Sequence, residues 1–144
     1  MRDARSEVSV VNSLIPLARR VQKAINGLYF ELAPGAVPLT QVAVLNALAT
    51  YGPLRQHQLC AEAAIDRSTM ATMLKGMADA GLVRMYRDIN DRRSTVVEIT
   101  ALKGLPALRQ ARRAIEKVER AVMERLPKAD RLSFLAQMER VARS

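Results

Sequence analysis

The chain has 144 residues, 49% hydrophobic and 26% charged, a balance that fits one compact globular unit and excludes a disordered or fibrous chain. A single cysteine, Cys60, excludes a disulfide framework or a Cys-based zinc cluster, and a single histidine, His57, leaves any zinc site leaning on carboxylates. The formal net charge is +9, compatible with nucleic acid or an anionic surface, and no apolar run approaches the ~20 residues of a membrane helix.

The first basic residues are interrupted by Asp3 and Glu7 and lead into no long apolar run, so no signal peptide is expected. A soluble, cytoplasmic protein without cofactor or membrane partner is the resulting expectation. Val11, Leu14, Ala18, Val21, Ile25 and Leu28 then recur at alternating spacings of 3 and 4, a narrow helical seam suited to packing on another helix. Pro34-Gly35-Ala36-Val37-Pro38 ends that unit. A second helix is predicted over about 39–51, with Val42, Leu45 and Leu48 inward and Tyr51-Gly52-Pro53 as its stop.

Residues 54 to about 64 read as a short amphipathic helix with Leu59 and Ala63 inward. Asp66 suits an N-cap, because its carboxylate can accept from the free backbone N–H of Ser68 or Thr69. The helix it opens runs to about Ala80 on a stripe of Met70, Met73, Leu74 and Met77. Gly81 stands where a left-handed residue is wanted, and Leu82 is placed to touch Met77. Two short helices joined by a tight turn make a helix-turn-helix.

The period then changes to two. Residues 83–87 and 94–99 are β-branched and alternating, and the turn-forming run Asp88-Ile89-Asn90-Asp91-Arg92-Arg93 joins them into a hairpin with a basic tip. A hairpin directly after a helix-turn-helix is a winged helix. Thr100 can cap the next helix, whose seam is Leu108, Ala111, Ile115, Val118 and Val122. Pro106 forces either a kink near 102–106 or a start at Leu105. A last helix follows Pro127, with Leu132, Leu135 and Met138 expected inward.

The fold class is therefore mainly α with a small β-hairpin wing. About 8–33 and 105–143 form dimerisation helices, and about 39–100 form the winged helix-turn-helix. Narrow seams at both chain ends would leave apolar stripes exposed on a single copy, and a twofold homodimer is the simplest cover, the alternative being that each seam packs within one monomer. Charge does not locate the reading surface: residues 55–93 balance at +2, whereas 103–144 carry +6.

These residues resemble the MarR family of winged helix-turn-helix transcription regulators over about 10–142. The resemblance rests on Leu39-Thr40…Val44-Leu45, on Ser68-Thr69-Met70 through Ala80-Gly81-Leu82-Val83-Arg84, and on Asp88…Asp91-Arg92-Arg93…Ile99-Thr100. It implies an obligate dimer with interleaved chain ends, operator binding near the regulator's own promoter, and release by a small phenolic or other aromatic effector. The family often has a long polar residue where Thr72 stands and an acidic one at Lys75, and Gly76 is unusual mid-helix. The reactive cysteine of the peroxide-sensing branch lies in the first helix, which has none here.

Within the helix-turn-helix, Arg67, Ser68, Thr69, Thr72 and Lys75 lie opposite the methionine stripe, where a recognition helix meets the major groove. Arg67 could grip a guanine and the hydroxyls could bond bases, while Ser68 and Thr69 could equally serve only the helix start. Arg84, Arg87 and Lys75 are phosphate candidates. By resemblance, Arg92 or Arg93 enters the minor groove. Asp91 is expected to pair with a neighbouring arginine. Arg109, Arg112, Arg113, Lys117 and Arg120 form a mostly solvated face, with Arg112 or Arg113 near DNA or the partner chain. Cys60 and Met70, Met73, Met77 and Met85 read as packing, His57 as a surface group, and Tyr29, Phe30 and Tyr51 as core.

No His-assisted nucleophile, Gly-rich phosphate loop or metal spacing stands out, and Asp88 and Asp91 sit among basic residues, so an enzyme is rejected. The expected protein is a dimeric, sequence-specific repressor of double-stranded DNA. A winged-helix protein-interaction module and a nonspecific architectural DNA binder are the alternatives.

Overall fold

The computed structural model describes residues 13–143; Val11 and the expected start of the first dimerisation helix near residue 8 lie outside them. The elements in chain order are α1 (Leu14–Leu32), α2 (Leu39–Tyr51), β1 (Leu54–Arg55), α3 (Gln56–Ala63), α4 (Arg67–Asp79), β2 (Val83–Arg87), β3 (Thr95–Ile99), α5 (Gly104–Met123) and α6 (Arg131–Ala142). A 3-10 turn, Lys128–Asp130, precedes α6. The chain divides into two compact units, one of residues 35–113 and one of residues 1–34 with 114–144, the boundary falling within α5.

The unit of residues 35–113 holds the winged helix. Its core is Val44, Leu45 and Leu48 of α2, Leu59 of α3, Met70, Leu74 and Met77 of α4, Val83 and Val97 of the sheet, and Leu108 and Ala111 of α5. The helical residues among these are the expected inward positions except Val44, which is buried besides the expected Val42, while Ala63 and Met73, also expected inward, are half-buried. The end of α4 is a Schellman motif: Leu82 N–H donates to Met77 O and Gly81 N–H to Ala78 O, both at 2.9 Å, with Gly81 at φ +75°.

Two local features differ from the sequence reading. The segment at 54–64 is not all helix: Leu54 and Arg55 form a third strand, paired antiparallel with Val97 and Val96, so the sheet order is β1-β3-β2. Two residues are too few to show a period, which is why the strand is invisible in sequence. The helix α5 starts at Gly104, not Leu105, and Pro106 falls in its first turn, where a backbone N–H has no intrahelical acceptor. Thr100 holds this corner, its hydroxyl donating to Gly81 O at 2.6 Å and accepting from Gly104 N–H at 2.9 Å. Gly104 is obligatory there, because a Cβ would stand 2.2 Å from Leu82 O and 2.6 Å from Ile99 Cγ1.

The other unit contains α1, the end of α5 and α6. Tyr29, Ala114 and Val118 are buried. Leu132, Leu135 and Met138, expected inward, are 83%, 53% and 51% exposed, because among the described residues no second layer covers this face of α6. On α1, Leu14 and Val21 are likewise exposed, and Phe30 stands in solvent instead of the expected core. Leu17, Val21, Ile25, Val122, Leu126 and Phe134 line an open apolar groove of about 500 Å³ within this unit.

Candidate nucleic-acid interface

The start of α4 is built around Asp66. Its carboxylate accepts Thr69 N–H at 2.9 Å, the Thr69 hydroxyl at 2.6 Å and the Ser68 hydroxyl at 2.9 Å. These donors, the Thr69 hydroxyl first, hold its carboxyl well below the usual range, at about 2. Ser68 and Thr69 therefore do serve the helix start. With their protons turned to Asp66, their hydroxyl oxygens present only lone pairs to a ligand. Arg67, Ser68, Thr69, Thr72 and Lys75 are all exposed, while Met70, Leu74 and Met77 on the opposite side are buried. The helical period thus places one polar face of α4 in solvent.

The wing is braced by its acidic residues, in a different arrangement from the one expected. Among the described residues Asp91 pairs with no arginine side chain; it accepts the Ser94 hydroxyl at 2.8 Å and Arg93 N–H at 3.1 Å, closing the turn locally. Asp88 takes the arginine instead: Nε and Nη2 of Arg55 both reach its Oδ2 at 2.7 Å. Asn90 N–H and Arg55 hold the Asp88 carboxyl below its ordinary range, as Ser94 and Arg93 N–H do for Asp91. Arg55 was not singled out in the sequence, since its partner depends on the hidden strand β1.

The basic residues of the wing fall into two sets. Arg84 pairs with Glu98 at 2.7 Å and lies 5.5 Å from the Tyr86 ring centroid, and the Arg87 Nη1 donates to Arg92 O at 2.9 Å. Arg92 and Arg93 are exposed, and no hydrogen bond or ion pair holds either guanidinium among the described residues. Ile89 is 91% exposed at the tip. Arg67, Arg93, Gln56, His57, Cys60 and Thr95 line a polar recess of about 150 Å³. Cys60 is half-buried there, and Arg112 donates to Asn46 Oδ1. Tyr51 is exposed, not core. Among the described residues no group of His, Cys, Asp and Glu could hold a metal ion, and no helix is long and apolar enough to cross a membrane.

Residues 37–95, from the start of α2 to the wing, match the model of the MarR family. The chain's fold resembles that of the PcaV transcriptional regulator from Streptomyces coelicolor in complex with its natural ligand, with TM-score 0.82 and 28% identity, covering 92% of this chain and 94% of that one. It is similar also to the transcriptional repressor CouR bound to a 23-mer DNA duplex, with TM-score 0.81 and 25% identity, over 91% of this chain and 93% of that one. A mutant MarR from E. coli complexed with operator DNA shares the fold at TM-score 0.77 and 19% identity, over 93% and 99% of the two chains. Among curated protein sequences, none matches the chain. These similar proteins are transcription regulators, two of them bound to DNA.

Proposed function

We propose that this chain is a transcription regulator of the MarR family, a homodimeric repressor that reads a pseudo-palindromic operator and is released by a small aromatic effector. The observation that carries the DNA reading is the exposed polar face of α4, Arg67 to Lys75, beside a wing whose Arg92 and Arg93 are unpaired. Ser68, Thr69 and Thr72 meet base edges, Lys75 and Arg87 meet phosphates, and Arg92 at the wing tip enters the minor groove. Arg84, tied to Glu98, contributes less to phosphate binding than Lys75. Two such helices enter successive major grooves about 34 Å apart. The exposed apolar rows of α1 and α6 support the second copy, and the ligand carried by PcaV supports an effector. An effector acts by binding one arrangement of the dimer more tightly than the other.

The test is fluorescence anisotropy with the duplex upstream of the chain's own gene against a scrambled duplex, at ~0.15 M salt where nonspecific contacts weaken. The native duplex should bind about 10³-fold or more tighter. Equal binding to native and scrambled duplexes, and to sites selected from random DNA, would leave a nonspecific architectural binder; no salt-dependent binding would leave a protein-interaction module.

A further inference from the structure

Among the described residues, the polar recess is the place on the winged helix where two unpaired cations converge from different elements. Arg67 comes from the first turn of α4 and Arg93 from the wing just before β3, and both line a space of about 150 Å³ in which no lining residue is acidic. The neighbouring carboxylates are already engaged, Asp66 by Ser68 and Thr69, and Asp91 by Ser94 and Arg93 N–H. By contrast Arg55 and Arg84 on the same sheet each have their own carboxylate. Two guanidinium groups facing one concavity without a counter-charge repel each other, and an anion between them reverses the sign of that interaction. His57, Gln56 and Thr95, whose side chains carry hydrogen-bond donors, also line the space. Arg67 also stands at the positive end of the 13-residue helix α4.

We propose that this recess seats one backbone phosphate of the bound duplex, so that Arg67 and Arg93 clamp a single phosphodiester between the recognition helix and the wing. The proposal rests on the DNA-binding reading above and assigns these two arginines a different task from guanine or minor-groove readout. One phosphate held by both elements fixes the register in which α4 and the wing tip meet their grooves.

The test uses the full-length protein and its selected operator duplex. Arg67→Ala and Arg93→Ala should each weaken binding several-fold on operator and scrambled duplex alike, and should each lower the salt slope by about one, with base preference unchanged. Arg67→Lys should restore most of the slope, because a phosphate accepts a point charge where a bidentate guanine contact does not. Replacing single phosphates by neutral methylphosphonates should reveal one position per half-site whose loss weakens the wild type and not the double alanine variant. Circular dichroism should be the same throughout, since both side chains are exposed. A changed base preference at one position with an unchanged salt slope would overturn the clamp and return Arg67 to base reading. A flat methylphosphonate scan, with Cys60 alkylation slowed by inorganic phosphate but not by duplex, would assign the recess to a free anion and overturn it too. Loss of all salt-dependent binding by the wild type would instead overturn the DNA reading, and the clamp with it.

Discussion

At the scale of single residues, Asp66 links stability to recognition. Its carboxyl sits at about 2 when folded, against ~3.9 for an unperturbed aspartate, so the carboxylate's contribution is complete above the unfolded value and lost as pH falls through 2. The D66N variant should therefore melt below the wild type at pH 7, and the gap in Tm should close between about pH 4 and pH 2. A gap independent of pH would mean that the charge is irrelevant to the cap. The same substitution leaves one oxygen to accept three donors, which frees hydroxyl protons at Ser68 and Thr69. In the wild type these oxygens can only accept, which suits the amino groups of adenine or cytosine; in the variant they can also donate to guanine or thymine. Selection from random DNA should show a shift in base preference under α4 for the variant, and an identical selected site would show that neither hydroxyl touches a base.

The cap itself is legible in the sequence because an N-cap and its acceptors lie within three residues of each other. So is Gly81, whose left-handed position follows from the end of an apolar stripe. The wing's bracing is not legible, because the choice between Asp88 and Asp91 as arginine partner depends on Arg55, 33 residues away from Asp88.

At the scale of elements, the corner where β3 turns into α5 depends on Gly104, and sequence patterning gives no hint of it. The requirement comes from the approach of Leu82 O, a carbonyl at the end of a different helix. Gly104→Ala would improve helix propensity in isolation, yet the added Cβ meets backbone that cannot rotate away. Overpacking of this kind costs about 2 kcal/mol or more, so chemical denaturation should show a lowered midpoint with an unchanged slope. An unchanged midpoint would show that the corner relaxes freely. Ala64, between α3 and α4, offers the opposite case: it is the one described non-glycine residue at positive φ, at +53°. A left-handed alanine costs roughly 1–2 kcal/mol, and glycine removes most of that at an entropic cost of about 0.5–1. Ala64→Gly should therefore raise stability by a few tenths of a kcal/mol to about 1, and a lower denaturation midpoint would mean that the turn is not strained.

At the scale of the whole molecule, charge and apolar surface give different information. Of the surplus of +6 over residues 103–144, +4 falls on residues 103–113, beyond the wing but within the unit of residues 35–113, so net charge speaks for attraction to DNA and not for where DNA sits. The apolar rows are more specific. Helical spacing marks Leu132, Leu135 and Met138 as one face, but spacing alone cannot say whether that face is covered by the same chain or by another, and the described residues leave it exposed. A second copy burying these residues removes them from water at ~25 cal/mol per Å², and the two reading units then bind as a pair. The double variant Leu135→Glu with Met138→Glu places two charges on that face. Light scattering should show it as a monomer, and its operator affinity should fall at least ~10²-fold, because each half-site then binds without the effective concentration supplied by the other. Its residual binding should keep a salt dependence, since the winged helix is intact, with a smaller slope because only one set of phosphates is neutralised. A variant that remains dimeric with full affinity would place the partner contact on α1 or elsewhere and leave α6 an exposed surface of the assembled regulator.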